Sequence, residues 1–147
     1  MSIQHILDRK GSGVVSIRPE ATVKEAADLM RRLGVAALVV TAGGHQADIV
    51  SERDIVLALS RQGEAALAER IITIASRPVA VAPTDSVNRA MNLMTQHRAR
   101  HLLVVDQGRP AGILSIGDVV RHRLEDLELE TNVLRDSFIA SHALSLH

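Results

Sequence analysis

An internal repeat is the feature that most limits how this chain can fold. A shift of 64 positions places one stretch of the sequence on another without a gap, so that Ser51 meets Ser115 and Asp54 meets Asp118. Hydrophobic residues coincide at many positions before these polar ones. Two copies of one supersecondary unit in 147 residues predict a module with pseudo-two-fold symmetry.

Composition excludes several classes of protein. Hydrophobic residues make up 46% of the chain but aromatic residues only 1%, so the core must be aliphatic. The 17 basic and 17 acidic residues cancel, and without a basic excess no nucleic-acid partner is expected. The absence of cysteine excludes a disulfide framework, a cysteine-bound metal and a thiol nucleophile.

The sequence shows neither a membrane segment nor a secretory signal. The longest apolar stretch, residues 35–40, is far too short to span a bilayer. Residues 1–11 contain no apolar segment of the kind found in signal peptides. We therefore expect a cytoplasmic protein with no membrane partner.

Hydrophobic spacing and turn residues predict the same order of elements in both repeats: strand, helix, strand, strand, helix. The fold class is therefore α/β, with two units packed about a pseudo-two-fold axis. A capping-box pattern opens the first of these helices at Thr22, with Glu25 three residues on. Residues 64–74 have a helical pattern and are expected to connect the repeats. The predicted units are 1–62 for the first repeat with a short N-terminal helix, 63–124 for the connector and second repeat, and 118–140 for an extended C-terminal helix.

The last helix continues well past its counterpart in the first repeat. Hydrophobic residues recur along it at alternating spacings of four and three, the heptad pattern of a helix that pairs with another helix. The pattern fits a helix packed on its own domain or one that pairs with a copy of itself in a homodimer, and its length favours the homodimer. The seam consists of Val120, Leu124, Leu127, Thr131, Leu134 and Phe138.

The most informative local motif occurs where the last helix of each repeat begins. Ser51 and Ser115 each end a predicted strand, and Asp54 and Asp118 follow one helical turn later. A helix N-terminus attracts anions, and an aspartate accepts hydrogen bonds from ribose hydroxyls in other nucleotide folds. The same residues also serve as plain helix caps. Both interpretations stay open at this level, and the duplication favours a binding role.

These motifs resemble the CBS domain, named after cystathionine β-synthase. The resemblance rests on Ile-Val-Ser-Glu-Arg-Asp in the first repeat, and on Arg-His-Leu-Leu-Val-Val-Asp and Ser-Ile-Gly-Asp-Val-Val in the second. It covers nearly the whole chain, which is similar to small stand-alone bacterial proteins made of one CBS pair. The resemblance implies two repeats packed through their sheets, with two clefts between them that bind adenine nucleotides.

The resemblance also implies roles for individual side chains. The aspartates would hold ribose hydroxyls, the serines would lie near the ribose or the phosphate, and the basic residues would contact the phosphate. Among the basic residues we favour Arg98 and Arg100 over His101, and Lys10 is a weaker phosphate candidate. The implied nucleotide-binding residues are Ser51, Arg53, Asp54, Arg98, Arg100, His101, Ser115 and Asp118. Small apolar residues that fit an adenine slot, although each alone is more typical of an ordinary core, are Val15, 35–37 and 79–80.

We expect a regulatory protein rather than an enzyme. The sequence contains no Gly-x-Ser-x-Gly elbow, Walker loop, His-Glu-x-x-His or Gly-x-Gly-x-x-Gly motif. No metal is expected, because no pair of histidines has metal-ligand spacing on one helix. The leading hypothesis is a non-catalytic sensor of AMP, or else of ADP, ATP or NAD, that acts on an unidentified downstream protein. The alternative is a structural dimerisation protein with degenerate clefts that bind no nucleotide.

Overall fold

The computed structural model describes residues 1–11, 13–44 and 46–145, with side chains described as far as residue 140. After helix α1 at Ile3–Lys10, both repeats follow with the same order of elements, which confirms the predicted fold class. The first repeat contains β1 Ser16–Ile17, α2 Val23–Leu33, β2 Ala37–Val40, β3 Asp48–Ser51 and α3 Glu52–Gln62. The second contains β4 Ala80–Val81, α4 Val87–His97, β5 His101–Asp106, β6 Arg109–Ser115 and α5 Ile116–Ser145.

Each repeat forms its own three-stranded sheet. The first strand pairs parallel with the second, and the second pairs antiparallel with the third, so β2 and β5 are the central strands. The register places Ala37 beside Ser51 in the first sheet and His101 beside Ser115 in the second. The start of each central strand therefore lies next to the serine that begins the following helix.

Short-range signals set the helix ends. The Thr22 hydroxyl accepts a hydrogen bond from the N–H of Glu25, and Gly34 ends α2 in the left-handed conformation with φ of 66°. Arg98 takes the same place at the end of α4, with φ of 51°. Because residues with a side chain rarely adopt this conformation, Arg98 holds local backbone strain.

The segment that precedes each repeat closes a hydrophobic core, but in both cases it is the core of the other repeat. Ile3 is fully buried in the core of the second repeat, whereas Ile71 of the connector is fully buried in the core of the first. The backbone contacts agree, because the N–H of Ile3 donates to the carbonyl of Asp85 and that of Ile71 to the carbonyl of Ala21. Each half is thus completed by a segment adjoining the other half in the sequence.

The connector is less regular than its sequence pattern predicts. Instead of one helix it forms two 3-10 turns, Gly63–Ala68 and Ile71–Thr73. Between them Arg70 is extended, because its backbone pairs with Thr22 at the start of α2. This tertiary pairing outweighs the helical preference of the connector.

One difference between the repeats has a packing cause. Asp48 in the first sheet corresponds to Gly112 in the second. A Cβ atom added at Gly112 would lie 2.8 Å from a methyl carbon of Leu7, which is far inside van der Waals contact. Helix α1 therefore fits against the second sheet because this position has no side chain.

Helix α5 leaves the body of the molecule after its first turns. Val119 is buried in the core of the second repeat, and Glu125 pairs with Arg9 of α1. Further along, Leu127 is 44% exposed and Leu134 is 71% exposed, so the predicted seam lies on the surface of this chain. Within the described residues, no helix is both long and apolar enough to cross a membrane.

Candidate functional site

Both serine–aspartate motifs cap their helices. The N–H of Ser51 donates to Asp54 Oδ2 at 2.8 Å, and the N–H of Asp54 donates to Ser51 Oγ at 3.3 Å. Ser115 and Asp118 make the same exchange at 2.9 and 3.1 Å. The capping interpretation is therefore realised in both repeats. Among the described residues, the hydrogen bonds to both carboxylates end on Oδ2, which leaves Oδ1 for a further donor.

Lys10 distinguishes the second motif from the first. Its Nζ, at the end of α1, lies 2.6 Å from Asp118 Oδ2 and 2.6 Å from the carbonyl oxygen of Ile113. The equivalent carbonyl of the first repeat, that of Ile49, accepts instead from the N–H of Ser76 in the connector. The start of α5 therefore faces the ammonium group of Lys10, whereas the start of α3 lies beside the backbone of the connector.

Opposing influences act on the carboxyl group of Asp118. Burial is the largest and would raise its pKa. The hydrogen bonds from Lys10 and Ser115, together with the charge of Lys10, outweigh burial and hold the pKa below its ordinary value of 3.8. Asp118 is therefore ionised at neutral pH and 17% exposed, which suits a group that accepts hydrogen bonds from hydroxyls.

A cavity of about 250 Å³ lies between the two repeats beside Lys10. Ala37 and His101, which occupy equivalent places in the two sheets, both contribute to its wall. The cavity therefore lies where the starts of the two central strands meet. The residues that complete most of its wall are Val15, 34–36, Ile113 and Ser115.

His101 is surrounded by the charged groups of both repeats. Burial is the main influence on its pKa and the ammonium group of Lys10 is the second, and both lower it. The carboxylates of Asp118, Glu52 and Asp54 act in the opposite direction without offsetting these effects. The pKa of His101 lies below its ordinary value of 6.5, so the imidazole is mainly neutral at neutral pH. Because carboxylates of both helix starts act on His101, the two motifs face the same region between the repeats.

The structure brings together only some of the predicted site residues. His101 and Ser115 line the cavity, as does Val15 of the expected adenine slot, and Lys10 links the cavity to Asp118. The three arginines are exposed, including the two that sequence reasoning favoured over His101. Their contact with a ligand stays a prediction. The predicted residues that lie outside the wall of this cavity are Ser51, Arg53, Asp54, Arg98, Arg100, Asp118, Val79 and Ala80.

From the sequence, Lys10 was only a weak phosphate candidate. In the structure it makes the shortest polar contacts of this site. It lies 108 positions from Asp118, and no motif connects the two residues. Packing of Ile6 and Leu7 of α1 into the core of the second repeat brings them together. The sequence signal that was present is a basic residue in the last turn of a short helix.

The arrangement suits the binding of a small ligand. An ammonium group, a serine at a helix start and a small apolar wall together fit a ligand with an anionic group and a flat apolar group. In the part of the chain that the structure describes, no three histidine, cysteine or acidic side chains are grouped so as to hold a metal ion.

Comparison with known proteins identifies relatives that span most of the chain. The sequence model of one family, the CBS domain, matches residues 9–61 and 69–125. The CBS domain-containing protein YhcV of Bacillus subtilis is 30% identical over 121 residues, which cover 82% of this chain and 86% of YhcV.

Solved structures of similar proteins share the fold. The CBS-domain containing protein ATU1752 of Agrobacterium tumefaciens has a TM-score of 0.78 at 36% identity, over 84% of this chain and 99% of that one. The CBS domain protein PAE2072 of Pyrobaculum aerophilum, complexed with AMP, has a TM-score of 0.74 at 32% identity, over 89% and 99% of the two chains.

Proposed function

The chain belongs to the CBS-domain family, and we propose that it is a non-catalytic regulatory protein that binds an adenine nucleotide, foremost AMP, in the cavity between its repeats. One observation carries the proposal: this cavity joins small apolar residues of the first repeat to Lys10, His101 and Ser115. The AMP complex of PAE2072 supports it. ADP, ATP and NAD are the other candidate ligands.

Each part of AMP has a suitable group in or beside the cavity. Val15 and residues 35–37 offer an apolar wall to the purine. Oδ1 of Asp118 accepts hydrogen bonds from the ribose hydroxyls while Oδ2 continues to cap α5. The ammonium group of Lys10 and the hydroxyl of Ser115 then face the phosphate, which is the strongest charge on the ligand.

The size of the cavity favours a mononucleotide over a dinucleotide. Its volume of about 250 Å³ lies just below the range of about 300–1,000 Å³ typical of small-molecule pockets. NAD carries a second nucleoside, which would have to extend out of this space. AMP is therefore ranked first and NAD last among the candidates.

Binding would couple the nucleotide to the packing of the two halves. The purine would touch the first repeat, whereas the ribose and phosphate would touch the second repeat and Lys10. Lys10 lies on α1, whose neighbouring Arg9 forms an ion pair with Glu125 of α5. A nucleotide that prefers one arrangement of α1 and α5 shifts the population towards it, and a downstream protein partner reads that shift.

We also propose that the protein forms a homodimer through the seam of α5. Leu127 and Leu134 lie on that seam at heptad spacing and are 44% and 71% exposed in a single chain. Burial of such residues against a second copy of the helix removes apolar surface from water.

Calorimetric titration with AMP tests the nucleotide proposal. Asp118→Asn removes the charge that would accept from the ribose, and a charge-assisted hydrogen bond contributes about 1.5–3 kcal/mol, so affinity is expected to fall about tenfold or more. Asp136→Asn, an exposed site on the same helix, is the matched control and should bind as the wild type does. Asp54→Asn shows whether the first motif also binds, because the stoichiometry would then decrease.

The alternative function is a dimerisation protein without a nucleotide. The observation in its favour is that the serine–aspartate motifs already serve as complete helix caps. It predicts no binding heat with AMP, ADP, ATP or NAD. That result, with a correctly folded protein, would reject the proposal of nucleotide sensing.

A further inference from the structure

A second cavity lies on the other side of Lys10, between α1 and α5. Its volume is about 220 Å³, roughly seven times the ~30 Å³ that one water molecule takes up in the liquid. Lys10 and Asp118 belong to its wall, whereas Ser115 and His101 do not. This second cavity thus adjoins the cavity proposed for the nucleotide and shares Lys10 with it.

Basic groups predominate on the wall of this second cavity. Its two acidic residues already have basic partners, because Glu125 pairs with Arg9 and Asp118 pairs with Lys10. Arg121 lines the same wall, and within the described residues it takes part in no ion pair. One positive charge is therefore in excess, even with neutral histidine.

His122 also lines this wall, with a nearly buried side chain. Its side chain is 6% exposed, and its Nε2 makes no hydrogen bond to any residue that the structure describes. Asp126 Oδ2 lies 3.3 Å from Nε2 but without hydrogen-bond alignment. Because Nε2 has almost no accessible surface, His122 shapes the wall without offering a hydrogen-bond donor to the cavity.

We propose that the cavity between α1 and α5 is a phosphoryl-binding site. Arg121 and Lys10 face the oxygens of the group. The guanidinium group of Arg121 matches phosphate oxygens in geometry and charge. Three cationic side chains line this cavity, and both of its carboxylates are already paired with two of them, so the wall suits an oxyanion better than a metal cation.

Two sources can supply the phosphoryl group. One is free inorganic phosphate. The other is a 2′-phosphate on the ribose of a nucleotide in the neighbouring cavity, because Asp118, which would then accept from the 3′-hydroxyl alone, borders the second cavity. Only the second source rests on the proposed nucleotide-binding function.

Calorimetric titration with inorganic phosphate at constant ionic strength tests the free source. Arg121→Gln is expected to weaken phosphate binding about tenfold through the loss of a charge-assisted hydrogen bond. Arg123→Gln, an exposed arginine on the same helix outside the wall, should leave it unchanged. Calorimetry is preferable to thermal shifts because phosphate stabilises folded proteins nonspecifically.

Titration with adenosine 2′,5′-bisphosphate tests the ribose-borne source. If the ribose carries the phosphoryl group, Arg121→Gln lowers the affinity for the bisphosphate about tenfold and leaves the affinity for AMP unchanged. The site is rejected if neither phosphate nor the bisphosphate responds to Arg121→Gln more than to Arg123→Gln. If AMP fails to bind while phosphate binding depends on Arg121, the nucleotide proposal fails and the phosphoryl site stands.

Discussion

Asp118 combines two roles in one carboxylate. Oδ2 caps helix α5 and accepts a hydrogen bond from Lys10, while Oδ1 faces no donor among the described residues. Asp54 caps α3 in the same way but without a nearby lysine contact. The cap is therefore common to both repeats, and the ammonium group is what makes one of them suited to an anionic ligand.

The lowered pKa of His101 makes stability depend on pH. Because the unfolded chain binds the imidazole proton more tightly, the stabilisation is complete above the ordinary pKa of 6.5 and is lost as the pH falls below it. Between about pH 7.5 and about pH 5.5, the wild type should lose more unfolding free energy in urea than His101→Gln. His97→Gln, at an exposed histidine, should behave as the wild type. Equal losses in all three proteins would contradict the prediction.

Arg98 offers a test of stored backbone strain. Glycine adopts the left-handed conformation without a Cβ penalty, so Arg98→Gly is expected to raise the free energy of unfolding by up to about 1 kcal/mol. Arg98→Ala removes the same charge but keeps the strain, and should not stabilise the protein. Urea denaturation midpoints of both variants give the comparison, and stabilisation by both would point to charge instead.

At the scale of elements, helix α5 has two distinct parts. Its first turns bury Val119 against the second repeat and hold Glu125 beside α1. Its later turns carry Leu127 and Leu134 on an exposed surface. The heptad pattern continues across both parts, which is why we propose that the later turns pair between chains.

Leu134→Glu is expected to weaken the proposed dimer, because a carboxylate would have to be buried in an apolar seam. Light scattering across a dilution series gives the dissociation constant. Leu129→Glu, the same substitution on the opposite face of the helix, where the side chain is 61% exposed, is the matched control. A dimer that tolerates Leu134→Glu as well as Leu129→Glu would exclude the seam.

The ends of helix α2 could be predicted from neighbouring residues, whereas the structure of the connector could not. The helix start at Thr22 and its end at Gly34 each depend on bonds to residues within a few positions. In the connector, the helical pattern yields to backbone pairing of Arg70 with Thr22, which lies far away in the sequence. Local patterns carry no information about such a partner.

At the scale of the whole molecule, helix α1 and the connector tie the two repeats together. The N-terminal helix belongs by sequence to the first repeat but packs on the second, with Leu7 against the bare backbone at Gly112. The connector closes the first repeat in turn. Neither core is complete without a segment that adjoins the other repeat.

Ile3→Ala is therefore expected to be as destabilising as a substitution in the centre of a core. Ile3 and Ile71 are both fully buried, and truncation of a buried isoleucine to alanine costs about 2–5 kcal/mol. Ile72→Ala is the control, because that side chain is 39% exposed. Urea unfolding should give comparable losses for Ile3→Ala and Ile71→Ala. A negligible loss for Ile3→Ala would show that the first helix is not part of the folded core.

The sequence by itself determined the repeat, the order of elements and the helix caps, because these depend on periodicity and on hydrogen bonds between near neighbours. Tertiary structure alone decided which repeat α1 covers, where the connector turns and which of the two motifs faces a cation. The contact between Lys10 and Asp118 spans 108 positions. It forms because apolar side chains of α1 are buried in the second repeat, and this packing places Lys10 beside Asp118.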